Sequence, residues 1–139
     1  MLTRRALPLA LALAACAHAP TRHDAITAIA QADRALRAAH ATLLAYDAAR
    51  LKVIAVVAVN REEAERFAAQ HDAQMQPVRA ALAAAFTTLA LAAGEVAAGT
   101  CEPAECAVRA AGVVLQVQRA MRAAGVALAE SDAGQGATP

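Results

Sequence analysis

From Asp24 onward, apolar side chains recur near the helical period: Ile26, Ile29, Leu36, Leu43 and Ile54 mark one face of a run otherwise filled by Ala and charged residues. Asp33 and Arg37, four residues apart, form a favourable pair on the outer face of that helix. Residues 51–59 are dense in β-branched side chains, which favour strands. The stretch is isolated and flanked by strong helix formers, so it is expected as buried helix. It is also too short to span a membrane, and Lys52 lies within it.

Punctuation then divides the chain. Asn60-Arg61-Glu62-Glu63 reads as a helix N-cap with Glu at the third position, and acidic side chains there suit the helix dipole. A tight reversal is therefore expected near Asn60, with a second helix from Arg61 to about Ala98. Phe67, Val78, Leu82, Phe86, Leu89 and Val96 would form its inner face. Pro77 is expected to kink that helix or start a new segment. Gly99 suits the residue just past a helix end, and Pro103 suits the first position of a third helix running to about Glu130. Val108, Leu115, Met121 and Leu128 are among the apolar residues of that helix. Residues 80–94 carry no charge and read as the central helix of the bundle, covered on both sides, or as a docking face of small residues. The fold class is all-α: an elongated antiparallel three-helix bundle over residues 24–130. The alternative is a long helical hairpin with Pro77 at the break.

Composition sharpens this picture. Roughly a third of the 139 residues are Ala, the best helix former, and only 2% are aromatic. The core should be thin, with helices close together. Thirteen basic and twelve acidic side chains leave a net charge of +1, which excludes the basic footprint of a nucleic-acid binder.

The N-terminus carries the most specific motif. Met1-Leu2-Thr3-Arg4-Arg5 is a positive start, residues 6–12 are apolar, and Leu13-Ala14-Ala15-Cys16 follows. This is the layout of a secretory signal, too short to cross a bilayer as a helix. Its last four residues resemble the lipobox of bacterial lipoproteins. The resemblance implies a signal peptide over residues 1–15, diacylglycerol on the Cys16 thiol, and cleavage in front of Cys16. Two or three acyl chains there would give stable anchoring. Ala17 in place of Asp resembles the sorting state for an outer membrane, so the expected location is lipid-anchored on the periplasmic side of a bacterial membrane. Cleavage after Ala17-His18-Ala19 is the alternative, disfavoured because Pro20 would become the first residue. Residues 16–23 would be a lipidated tether, and residues 131–139, small, polar and Gly-containing, a disordered tail. The strings Ala45-Tyr46-Asp47-Ala48-Ala49-Arg50 and Pro77-Val78-Arg79 resemble small uncharacterised Ala-rich helical proteins of bacterial envelopes and prophages, and they transfer no functional residue.

Assigning Cys16 to lipid leaves Cys101 and Cys106, which an oxidising periplasm would join as a disulfide. That staple would close a short loop and clamp a helix–helix corner. A redox or metal role is the other reading of a C-x4-C pair, here without a nearby His. His71 and Met75 stand one turn apart and are candidate metal or haem ligands on one helix face. The plainer reading makes them surface and core residues. His40 is expected half-buried near the apolar face of the first helix, and His18 and His23 solvated in the tether. No haem-attachment motif, H-E-x-x-H, G-x-S-x-G or phosphate loop occurs. Tyr46-Asp47 and Glu62-Glu63 read as helix surface and helix capping.

The expected function is accordingly non-enzymatic: a membrane-anchored spacer or docking module without a cofactor. Its partners would be the membrane, through Cys16, and a periplasmic protein or a second copy of the chain. The alternative is a small-ligand or metal-binding bundle that uses His71 and Met75, with His40.

Overall fold

A computed structural model describes residues 19–126. The expected signal, Cys16, Leu128 and the tail over residues 131–139 lie outside the described residues. Within them the chain forms three α-helices: α1, Arg22–Val57; α2, Arg61–Ala98; and α3, Pro103–Ala123. Each helix packs against the other two, giving an all-α three-helix bundle.

Local chemistry sets the helix ends. Thr21 caps α1: its Oγ1 accepts from the Asp24 amide at 3.2 Å, while Asp24 accepts from the Thr21 amide at 2.7 Å. This reciprocal box starts the helix within the stretch expected as tether, and His23 lies inside α1. The reversal falls at Asn60, as the sequence suggests. Asn60 Oδ1 accepts from the Glu63 amide at 2.9 Å, and Glu63 reaches back one residue further than a standard box, to the Val59 amide at 2.8 Å.

Gly99 closes α2 at φ 71°, with the Thr100 amide donating to Glu95 and the Gly99 amide to Val96. The same bonding pattern recurs at the end of α3. Gly125 sits at φ 75°, and the amides of Val126 and Gly125 donate to Met121 and Arg122. The third helix therefore stops at Ala123, seven residues before the expected Glu130. Pro77 does not divide α2, which runs unbroken through it.

The unequal helix lengths shape the molecule. At 1.5 Å per residue, α1 with 36 residues spans roughly 54 Å and α3 with 21 spans roughly 32 Å. At its start, Cys106 of α3 packs with Ala25 of α1 and with Ala92 and Val96 of α2. At the other end, the Gln74 side-chain amide donates to the Ala124 carbonyl at 3.3 Å. Between these points lies the main core, with Leu36, Met75, Val78, Val117 and Met121 fully buried. Beyond Gln74, among the described residues, only α1 and α2 continue, as a two-helix tip.

The tip overturns one expectation. Residues 51–57 are helical, but of the aliphatic run only Ile54 is buried, while Val56 and Val59 are 84% and 88% exposed. Among the described residues no third helix reaches that far. Elsewhere Ile26, Val108 and Leu115 are also exposed, and Phe67 and Phe86 are half-buried. The uncharged stretch 80–94 is covered on one side only: Leu82, Ala85, Leu89 and Ala92 face the core, whereas Ala83, Ala84, Ala90 and Leu91 face outward. By length and composition alone α2 could cross a membrane, a property shared by core helices of soluble proteins.

Candidate functional site

Two polar clusters interrupt the Ala-rich surface, one at each end of the three-helix section. The first joins α1 to α2 where the third helix stops. His71 is 6% exposed, and its Nε2 lies 2.9 Å from Asp47 Oδ1. Arg79 donates to the other Asp47 oxygen at 3.0 Å and also to Asp72. The Tyr46 ring packs against the imidazole, with centroids 5.9 Å apart. A chain of polar contacts thus runs His71–Asp47–Arg79–Asp72, and every member has a partner.

The electrostatics follow from these contacts. The hydrogen bond from Arg79 holds the Asp72 carboxyl below its ordinary range, against the opposing effect of desolvation. Hydrogen bonds to Asp72 and then Asp47 raise the Arg79 guanidinium. Among the described residues no buried side-chain nitrogen or oxygen is left without a partner. Such a network fixes the register of α1 on α2.

The metal candidates separate here. His71 and Met75 do lie one turn apart, but both point inward. Met75 is fully buried among core side chains, and one nitrogen of His71 faces Asp47. Among the described residues, no cluster of three or more His, Cys, Asp or Glu side chains with metal-ligand spacing includes His71. His40 is exposed, on the rim of a groove lined also by Leu43, Leu44, Leu82 and Phe86, and it does not approach His71 as a co-ligand. That groove runs along the α1–α2 seam, with Asp47 and Arg79 also on its wall.

No family model, curated protein or solved structure matches this chain. The functional reading therefore rests on its own residues.

The second cluster lies at the opposite end, in the bend before α3. Cys101 and Cys106 are at disulfide distance, with Sγ atoms 1.96 Å apart and Cα atoms 6.3 Å apart. Cys106 is fully buried in the first turns of α3, whereas Cys101 is half-buried in the bend. Glu95, from the last turn of α2, places Oε2 3.9 Å from Cys106 Sγ. Arg109 donates to Glu95 at 2.6 Å and to Glu105 at 2.8 Å, tying α2 to α3. Those bonds, to Glu105 first and Glu95 second, raise the Arg109 guanidinium.

Sequence reasoning anticipated the cysteine pair and missed the partners of both clusters. Asp47 reads as helix surface in the sequence, and neither Arg79 nor Glu95 carries a local signal of its partner. A signal for the first was present: Asp47 lies twelve residues before position 59 and His71 twelve after it. A hairpin that reverses there sets the two opposite one another.

Proposed function

We propose that this chain is a lipid-anchored envelope lipoprotein that acts as a rigid spacer and presents its α1–α2 tip to a partner in the periplasm. The observation that carries this reading is the uneven distribution of apolar surface along the bundle. At the anchored end, next to Thr21 and the expected lipid on Cys16, the helices are pinned by the cysteine pair and by Arg22, which donates to the Ala97 carbonyl at 2.9 Å. At the far end, roughly 54 Å along α1, Leu51, Val53, Val56, Val57 and Val59 are all about half exposed or more. Aliphatic side chains concentrated at one exposed end suit an interaction surface, whereas scattered ones would need no explanation.

The closed polar network at His71 supports a structural role over a catalytic one. A spacer benefits from fixed helix register, which paired polar side chains between two helices supply.

Two measurements test the proposal separately. Mass spectrometry of the mature chain from its own membrane is expected to show diacylglycerol on Cys16 and loss of residues 1–15; an unmodified Cys16 defeats the anchor. A photo-crosslinking residue at Val56 is expected to capture a defined partner in living cells, while one at Val108 on α3 does not. Equal labelling from both positions, or none from Val56, defeats the docking role while leaving the anchor intact.

A further inference from the structure

The bend between α2 and α3 holds more than a staple needs. A disulfide that only clamps the corner requires two sulfurs and adequate packing. Here a carboxylate from a third position also faces them. Ligand atoms of Glu95, Cys101 and Cys106 all lie within 4.8 Å of one another, and among the described residues this is the one grouping of its kind. While the sulfurs are joined, neither has a proton to offer Glu95, so the approach of its Oε2 to Cys106 Sγ is not a hydrogen bond in the oxidised chain.

We propose that the reduced form of this cluster is a binding site for one thiophilic divalent cation, Zn2+, with Cys101, Cys106 and Glu95 as protein ligands and a water in the fourth position. Two thiolates and a carboxylate are a donor set that zinc accepts in tetrahedral geometry. Such a site needs its sulfurs roughly 3.8 Å apart, given Zn–S bonds of about 2.3 Å. Cys106 is fixed in α3, but Cys101 lies outside the helix and is half-buried, so turning its side chain can open that distance without moving a core residue. The half-exposure of Cys101 and Glu95 also gives the ion a route in and leaves room for the water.

Arg109 completes the charge balance. Three anionic ligands around a divalent ion leave one net negative charge, and the Arg109 guanidinium already sits on Glu95. A carboxylate has lone pairs enough to serve both cations. Bound this way, Arg109 would orient Glu95 from outside the ligand shell, as outer partners commonly do at metal sites.

The chemistry closes as a cycle. A dithiol reductant transfers two electrons and two protons to the Cys101–Cys106 bond and is itself oxidised to a disulfide. Zn2+ then displaces the two thiol protons and forms two Zn–S bonds and one Zn–O bond. Oxidation by a disulfide-class oxidant removes two electrons from the sulfurs, re-forms the S–S bond and releases the ion. The site is thus filled only under reducing conditions. In the periplasmic location proposed above the pair rests as the disulfide, so the site fills there only where a dithiol reductant acts on it, and its metal affinity is measured without the anchor or a docking partner.

The test uses the full-length chain carrying C16S, so that only two thiols titrate. It is reduced with a phosphine, freed of reductant under argon, and titrated with Zn2+ alone and, in parallel, with Co2+ alone. The expected result is one ion per chain in the reduced protein and none in the oxidised protein, with proton release on zinc binding. Cobalt is expected to give a thiolate-to-metal charge-transfer band and the intense visible bands of a tetrahedral site. Removing an outer-shell partner typically weakens binding roughly 10- to 100-fold; R109Q is expected to fall in that range, and E95A to weaken binding at least as much. C101S is expected to abolish the band. Affinity unchanged by E95A overturns the three-ligand site, as does equal binding by oxidised and reduced chains. Circular dichroism accompanies each titration: a reduced chain that has lost its helices and does not recover them with Zn2+ also overturns the proposal, whereas recovery supports it.

Discussion

Among the described residues the bundle is three helices thick from the cysteine bend to Gln74 and two helices thick beyond it, though both regions come from the same Ala-rich, aromatic-poor sequence. In the thick section Leu36, Met75, Val78, Val117 and Met121 are sealed from solvent. In the thin section the equally aliphatic Val53, Val56 and Val57 are not, because α3 ends at Ala123. Burial here was decided by the length of a neighbouring helix. Hydrophobic pattern within a segment states which face wants covering, and another part of the chain determines whether cover arrives.

Truncation at the centre and at the tip should separate the two regions most sharply. Met75→Ala removes a fully buried side chain from a thin core and is expected to destabilise by about 2–5 kcal/mol in urea unfolding. Val56→Ser at the tip is expected to change stability by less than about 0.5 kcal/mol. Similar losses at both sites would mean that the tip is covered in solution. At the junction, His71→Leu keeps bulk but leaves one Asp47 oxygen facing an apolar group, for an expected loss of about 1–3 kcal/mol. Asn60→Ala removes the cap of α2 and is expected to cost about 1 kcal/mol, with faster amide exchange confined to the tip.

The smallest effect is a pH dependence. Asp72 is held below its ordinary range in the folded chain, so its contribution is present above the usual carboxylate value of about 3.9 and fades as pH falls through the depressed one. Asp72→Asn should therefore lower Tm slightly at pH 7. The difference from the wild-type chain should shrink on acidification below about pH 4. A difference that grows in acid would contradict the Arg79 contact as its source.

How much of this could be read from the sequence varied with the range of the interaction. Asn60, Gly99 and Pro103 act within a few residues, and the helix ends they imply are where the structure has them. Thr21 and Asp24 form an equally local box, set inside the stretch that the lipobox resemblance marks as tether. Gly125 is also local, but an isolated glycine in a helical run is often tolerated, and only its positive φ makes it a stop. The exposure of the valine run depended on that stop. Asp47, Arg79 and Glu95 gain their roles from residues 14 to 32 positions away, which no local pattern announces. The class and reversal points were thus legible, and the polar partners at either end were not.

Pro77 has a mechanical consequence. Without an amide hydrogen it cannot hold the Ala73 carbonyl, so one rung of the α2 ladder is missing one residue from Gln74, where the third helix gives out. Cross-section and backbone stiffness fall at the same place. The missing rung is bridged from outside, because His71 and Arg79 on either side of it both bind Asp47 of α1, so the mast is spliced where its backbone ladder is weakest.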